Sequence, residues 1–290
     1  MDKTLISILG GLGGMFGWGT SDFLANRASD KIGHFKTFFW SQVVGFALFV
    51  AAILIIRPVF LVEVSLIPFL VIASIGYAVG YLLFYKAFEV GSVSVVSSVI
   101  NLNTLLTMGV AIILFRQMLD LLQSVGVGLA IIGVILVAVN FRDFLGGKAS
   151  IVKGVKEAVL ASILFGLFYW PVNEFLTERA DWLVVSTIIK AISLLIIILI
   201  SVVKRTELKI NKISSKVLFM VFFVGILEAV GILSTSFGVS VGDSVLVAPI
   251  ASGLTIVTVI LAVIFLKEKL TKLQSLGILM TVGGIILTAF

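Results

Sequence analysis

Apolar residues in this chain come in runs of about 20, the length that carries an α-helix across a bilayer core, and polar residues are confined to short breaks between them. The runs predict helices over residues 4–25, 35–56, 66–87, 92–115, 119–140, 155–176, 182–203, 217–239, 242–266 and 272–290. The longest polar breaks, 141–153 and 204–216, are too short for a soluble domain. The first run sits where a signal peptide would. It is too long for one, lacks an Ala-x-Ala cleavage site and has a copy in mid-chain, so it is expected to be retained. The expected fold is an all-α polytopic membrane protein with ten transmembrane helices.

The pattern repeats. Residues 75–139 fall on residues 226–290 at a shift of 151 with no gap. Ala78-Val79-Gly80 meets Ala229-Val230-Gly231; Gly91 meets Gly242, Val96 meets Val247, Thr104 meets Thr255 and Thr107 meets Thr258. Gln123-Ser124-x-Gly126 meets Gln274-Ser275-x-Gly277, and Gly133 meets Gly284. At a shift of 152, Gly14, Phe16 and Trp18 meet Gly166, Phe168 and Trp170, and Asp22-Phe23-Leu24 meets Glu174-Phe175-Leu176. The chain therefore divides into residues 1–140, a connecting loop 141–153, and residues 154–290. Each half holds five helices, an odd number, so the second copy enters the membrane from the opposite side. Such inverted five-helix repeats place a site near the midplane where the halves meet.

Composition agrees: 60% of residues are hydrophobic and 12% charged, with a mean hydropathy of +1.25, against about 25% charged in soluble domains. A net charge of +6 does not call for nucleic acid, because the basic residues lie in loops between spans, where they set orientation. Of the 21 Lys and Arg, Lys3, Arg57, Arg116 and Arg179 lie on the side of the termini, Lys190 lies inside a span, and the other 16 lie on the opposite side. They include Arg142, Lys148, Lys153, Lys156, Lys204, Arg205, Lys209, Lys212 and Lys216. Both termini should then face outward, with loops 141–153 and 204–216 in the cytoplasm. A C-terminal reporter that works only in the cytoplasm is expected to stay silent; activity would reverse the assignment.

The chain has no Cys and a single His, His34, at a helix edge. No Ser-His-Asp order, metal-ligand cluster or phosphate loop is present, and the glycine-rich first helix lacks a following Lys-Ser/Thr. Neither an enzyme nor a cofactor is expected, and any transport must run on a gradient.

The polar residues inside spans are the candidate site. Asn101, Asn103, Thr104 and Thr107 lie on helix 4; Asn101 and Thr104 share a face, and their repeat equivalents are Ser252 and Thr255. They read either as interhelical hydrogen bonds or as a cavity wall. An amide has four hydrogen-bond sites to satisfy, which favours the cavity. Tyr77, Tyr81 and Tyr85 form one stripe on helix 3, read as cavity lining or as packing. Trp18 and Trp170 read either as caps at the two ends of a substrate pathway or as interfacial anchors. Asp22 and Glu174, near Arg27 and Arg179, read as interfacial charge pairs. The glycines of helix 1, Gly10, Gly11, Gly13, Gly14, Gly17 and Gly19, read as a flexible element or as a close-packing face.

Two charges lie deepest. Lys190 is roughly 12 Å into helix 7 and Glu228 roughly 16 Å from the same face in helix 8 at 1.5 Å per residue, so they are placed to pair. Alone, each would cost about 2.5–3.5 kcal/mol on insertion scales. The repeat sets Glu228 opposite Tyr77, and Lys190 opposite Gln42 if Arg57 is set on Arg205. The pair reads as a structural clasp or as a coupling site at which Glu228 takes up a proton or Lys190 meets a substrate carboxylate.

Phe-Gly-Trp-Gly-Thr-Ser at 16–21, Tyr-Lys-Ala-Phe-Glu-Val-Gly at 85–91 and Phe-Leu-Lys-Glu-Lys-Leu-Thr at 265–271 occur in order on a duplicated five-helix unit. In this the chain resembles the drug/metabolite transporter superfamily, in its ten-helix EamA-like families. Two departures stand out. Arg116-Gln117 replaces the usual Gly-Glu after helix 4, while the second half keeps Glu268. The mid-helix proline common in the fourth helix of each half is missing near Thr104 and Thr255, with Pro249 earlier. The resemblance implies a carrier of the plasma (inner) membrane with its cavity among helices 3, 4, 8 and 9. The expected function is secondary transport, with export, of a small polar metabolite such as an amino acid, protons being a candidate coupling ion. Sugar uptake is the alternative, and lipid-linked flipping the alternative of another class. The substrate itself, the coupling ion and the oligomeric state are not legible from the chain.

Overall fold

Helix boundaries follow local chemistry. In the computed structural model, which describes residues 2–115, 120–139, 151–210, 214–241, 247 and 250–288, α1 (Lys3–Ile32) starts at Asp2, whose carboxylate accepts the Thr4 N–H, and stops at Gly33, at φ +83°. α2 (His34–Ile56) ends at Arg57 in the left-handed region, and α3 (Ile67–Val90) carries Pro68 in its first turn, where no N–H is missed. α4 (Val93–Ile100) and α5 (Leu102–Phe115) follow, then α6 (Leu121–Ala138). In the second half, α7 (Val155–Ile163) runs through a π-helical turn, Leu164–Tyr169, into α8 (Trp170–Thr177). α9 (Trp182–Lys204), α10 (Ser215–Val241), α11 (Leu254–Leu261) and α12 (Lys272–Leu287) complete the chain.

Seven of these stretches are long and apolar enough to cross a membrane: His34–Ile56, Val64–Val90, Val93–Val110, Leu121–Ala138, Val155–Thr177, Trp182–Lys204 and Ser215–Val241. Ile250–Leu266 and Lys272–Leu287 are shorter apolar helices. α1 has 30 residues, about 45 Å of helix, but much of it is Gly, Ser, Asp and Asn. It extends well past its expected end because Ser21, Asp22, Asn26 and Ser29 are buried against other helices instead of facing lipid. The only β-pairing among the described residues is an isolated bridge between Val139 and Ile151. Arg116, Gln117, Arg142, Lys148, Lys212, Gly242 and Pro249 lie outside the described residues.

The repeat is carried into local structure. The shared Gln-Ser motif is a helix start: Asp120 and Thr271 each accept the N–H of the Gln three residues on, and Gln123 and Gln274 each reach back to the cap N–H. These capping boxes satisfy two exposed donors apiece. Arg57 and Arg205 both close their helices with positive φ, 54° and 51°, as expected of equivalent positions. Packing obeys the same equivalence. α1 lies on α10, and α7–α8 lies on α3; α2 lies on α10, and α9 on α3. The pairs α2 with α9, α4 with α11, and α6 with α12 each join a helix to its own equivalent. Between α6 and α12 the glycines cross over, Gly126 against Gly284 and Gly133 against Gly277, so equivalent helices run antiparallel. The halves are therefore related by inversion about an axis that passes between these self-paired helices.

Among the described residues, the fourth helix of each half breaks at a residue that is not proline. Asn101 separates α4 from α5, and Gly253, one position from its equivalent, precedes α11. In each case the chain tightens to i→i−3 bonds, Thr104 N to Asn101 O at 3.1 Å and Gly253 N to Ile250 O at 3.1 Å.

The halves are not in the same state. Thr258 donates its hydroxyl to Gly19 O at 3.0 Å, while its equivalent Thr107 donates to Gly166 O at 3.1 Å. The equivalent of Gly19 is Pro171; Gly166 is the equivalent of Gly14. Helix 6 therefore sits five residues off its symmetric place against helix 4, about 7.5 Å at 1.5 Å per residue. Against α3 the offset is partial: Gly80 meets the Phe165 ring, four residues short of Tyr169, the equivalent of the Gly17 that meets Gly231, whereas Gly76 meets Tyr169 N as its equivalent Leu227 meets Gly17. Pro171 has no N–H to donate back into the preceding turn, and the π turn at Leu164–Tyr169 lies directly before it.

Candidate functional site

The expected Lys190–Glu228 pair forms. Lys190 Nζ lies 2.7 Å from Glu228 Oε2, and both residues are 1% exposed. Both repeat equivalents join them. Lys190 also donates to Gln42 Oε1 at 2.9 Å and to the Tyr77 hydroxyl at 3.0 Å, which uses all three of its N–H groups. The Tyr77 hydroxyl lies 2.6 Å from Glu228 Oε1 and 2.9 Å from Gln42 Oε1. It has one proton, and the shorter, charge-assisted contact to Glu228 takes it. Gln42 must aim its oxygen at the ammonium, which leaves its Nε2 buried with no partner. Phe49 and Tyr77 flank Lys190, each ring centre 5.3 Å from Nζ. Gly45 leaves room for the net, since a Cβ there would stand 3.4 Å from both Glu228 Oε2 and Lys190 Nζ.

Aromatic rings surround this layer. Phe38 stacks on Tyr81 at 5.5 Å, and Tyr81 packs on Tyr77 at 4.6 Å and on Phe165 at 5.0 Å. Tyr169 bridges Tyr77, at 5.1 Å, to Trp170, at 4.8 Å. Trp18 and Trp170 meet edge to face, ring centres 6.3 Å apart. The two tryptophans cannot cap opposite ends of a pathway, nor do they stand apart as anchors. They are equivalent residues in mutual contact, each carried inward on a helix that packs closely on its neighbours.

On helix 4, Asn101 donates its amide to Thr255 Oγ1 at 3.0 Å, and Thr255 donates to Ser97 O at 3.1 Å. The contact joins the two halves across the axis. Asn103 accepts from the Thr104 hydroxyl at 3.2 Å, and the one proton of the Thr107 hydroxyl is shared between Asn103 O, at 2.9 Å, and Gly166 O. Ser252, beside the break before α11, is partly buried. Two shallow grooves of about 440 and 460 Å³ lie elsewhere, one along α6 and α12 at Leu129, Leu279 and Gly283, the other around Trp40, Lys209 and Phe222. In this state the expected cavity residues pack on one another and line neither groove.

Other readings change. The glycines of α1 are a packing face: a Cβ at Gly10 would stand 2.8 Å from Gly238 Cα, and one at Gly17 2.8 Å from Leu227 O. Asp22 is not an interfacial partner of Arg27. It is buried, while Arg27 is exposed. Arg179 pairs with Glu178 at 3.1 Å, not with Glu174, and lies over the Phe175 ring. Sequence reasoning also missed what Glu268 does. Its carboxylate accepts from Ser92 Oγ at 3.0 Å, Val93 N at 2.8 Å, Ser94 N at 3.2 Å and Ser94 Oγ at 2.6 Å. It thus caps the start of α4 in the other half, where the helix dipole favours an anion. A signal for the burial of Asp22 was present: Asp22, Asn26 and Ser29 recur at i, i+4 and i+7 on one helix face.

A crystal structure of a protein superposes with a TM-score of 0.66 over 97% of this chain and 95% of its own, at 17% identity, which shows a shared fold. An uncharacterized protein of Methanocaldococcus jannaschii is 27% identical over 142 residues, which is 48% of this chain and 99% of that protein, so the relative is about as long as one half. The model of the EamA-like transporter family matches residues 5–139 and again 152–290. The chain, polytopic and helical with that match over both halves, belongs to the EamA-like transporter family.

Proposed function

We propose that the protein is a secondary carrier of the plasma (inner) membrane that exports a small zwitterionic metabolite of the amino-acid class by alternating access. The observation that carries this reading is the closed net of Lys190, Glu228, Tyr77 and Gln42 on the axis between the halves. A zwitterion has one carboxylate and one ammonium. It can enter such a pair by giving Lys190 a new anion and Glu228 a new cation, so that no charge is left bare in hydrocarbon. A sugar offers neither charge and would have to leave the pair intact or break it unaided. Lipid-linked substrates with phosphate groups call for several cations, and the net has one. The displacement of helix 6 from its symmetric place supports the cycle. Exchange of that displacement between helix 1 and helix 6 would open the site to opposite sides in turn, a sliding of packed elements by about one turn.

Counterflow in proteoliposomes with labelled amino acids and, separately, labelled sugars tests the reading. Amino-acid exchange is expected and sugar exchange is not; the opposite result would replace the proposal with sugar transport. Asn101→Ala removes the amide that ties α4 to α11 in this state, and Tyr81→Ala removes a ring beside the net. Each is expected to reduce transport about tenfold, the equivalent of about 1.4 kcal/mol, with normal membrane expression. Normal transport by both variants would move the substrate site elsewhere.

A further inference from the structure

We propose that Asp22 is the site at which the carrier binds and releases its coupling proton; the inference rests on the carrier reading above. The Ser21 hydroxyl donates to Val224 O at 3.1 Å, which fixes this part of α1 against α10 one turn from Glu228. Asp22 is 7% exposed. Among the described residues its carboxylate accepts no hydrogen bond and makes no ion pair. The charged and titratable groups facing it are Glu228 from α10, Tyr81 and Tyr85 from α3, and, through Glu228, Lys190 from α9. Ser41 and Gln42 of α2 and Thr255 and Thr258 of α11 are buried and do not titrate. Arg27 and Lys31, on α1 itself, are exposed.

The charge balance is then two carboxylates against one ammonium. Glu228 holds Lys190 and the Tyr77 hydroxyl, and protonating it would leave Lys190 without its counter-ion. Asp22 has no cation to lose. Uptake of one proton converts its carboxylate to a carboxylic acid and brings the layer to zero net charge; release returns it to minus one. A second observation points to a ligand here. Gln42 Nε2 is wholly buried and has no partner, and the buried Tyr85 hydroxyl meets only the Ser21 and Ser41 hydroxyls, in the field of both carboxylates. Both the amide and the phenol are hydrogen-bond donors. They suit a carboxyl group and a water that delivers its proton, and they do not offer the shell of lone-pair oxygens that a metal cation takes. A proton at Asp22 and the ammonium of a substrate compete for the same negative charge, so the coupling is an exchange of one for the other.

The test needs no substrate. Infrared difference spectra of the full chain in lipid nanodiscs, recorded across a pH step, should show a protonated-carboxyl band that shifts in heavy water. Asp22→Asn should abolish it, Asp22→Glu should restore it at a shifted frequency, and Glu228→Gln should keep it. A band that survives in Asp22→Asn, vanishes in Glu228→Gln, or is absent from the wild type overturns the assignment. In proteoliposomes, a pH gradient should accelerate wild-type amino-acid flux and fail to accelerate Asp22→Asn; acceleration by a sodium gradient in place of a proton gradient would also overturn it. Absence of amino-acid flux with the Asp22 band intact would reject the substrate and leave the proton site standing.

Discussion

Lys190→Met is expected to reach the membrane in much reduced yield and, once purified, to be less stable than the wild type by about 3–5 kcal/mol, the usual cost of leaving one partner of a buried ion pair alone. The cost is high because Glu228 is 1% exposed and would lose its only cation. Tyr77 can still donate to Glu228 Oε1, but one hydroxyl does not neutralise a carboxylate in hydrocarbon. Adding Glu228→Gln should recover most of the lost stability, since Gln can accept from Tyr77 and no net charge remains. The double variant Lys190→Gln with Glu228→Gln then separates folding from transport. It should fold, because the layer stays hydrogen-bonded and neutral, and it should carry substrate at about a tenth to a hundredth of the wild-type rate. That range corresponds to the loss of one charged hydrogen bond to the cargo, about 1.5–3 kcal/mol. Thermal unfolding in detergent reads the first effect and flux across a pH series reads the second. Wild-type rate and pH dependence in the double variant would reduce the pair to a clasp between α9 and α10.

Much of this layer was legible in the chain. Depth along a helix follows from residue count, so Lys190 and Glu228 could be set level with each other, and the repeat alone named Tyr77 and Gln42 as their opposites. The structure brings all four together because these equivalent positions lie close to the two-fold axis. The start of each α6-like helix was also visible, although as a matched Gln-Ser motif rather than as a capping box. What hydropathy does not encode is which neighbour a helix face meets. Asp22, three residues before the expected end of helix 1, looked interfacial. It is buried because α1 continues to Ile32 and packs on α10. Trp18 and Trp170 looked like separate anchors, since each is amphipathic and near a span end; their contact depends on the packing of α1 and α8, which no single-helix pattern shows. The break at Asn101 was obscured by its lacking the residue that usually marks one. The offset of helix 6 has a sequence correlate, Pro171 where the first half has Gly19, but its size depends on how Gly166 and Gly80 seat against helices 4 and 3.

The seam between α6 and α12 supplies the second large effect. Gly133→Ala and Gly284→Ala are each expected to destabilise the protein by about 1–3 kcal/mol, as overpacking of a filled interior does. A Cβ at Gly284 would stand 2.5 Å from Gly126 O and 2.6 Å from Ala130 N, and one at Gly133 2.5 Å from Thr281 N. Gly126 O, Ala130 N and Thr281 N are main-chain atoms, which cannot turn aside as a side chain can. Because the seam crosses the axis, each substitution meets the other half of the repeat, and the two helices must part by several tenths of an ångström along their length. Close small-residue contacts of this kind are what hold helices together in lipid, where burial of apolar surface gives no advantage. Gly128 and Gly283 lie on the same two helices with no atom within 4 Å of an added Cβ. Gly128→Ala and Gly283→Ala should therefore leave stability unchanged or raise it, by up to about 1 kcal/mol from helix propensity. Melting temperatures of the four purified variants decide the matter: equal stability of the seam and control variants would mean that α6 and α12 do not touch backbone to backbone, and that the halves are not joined along this line.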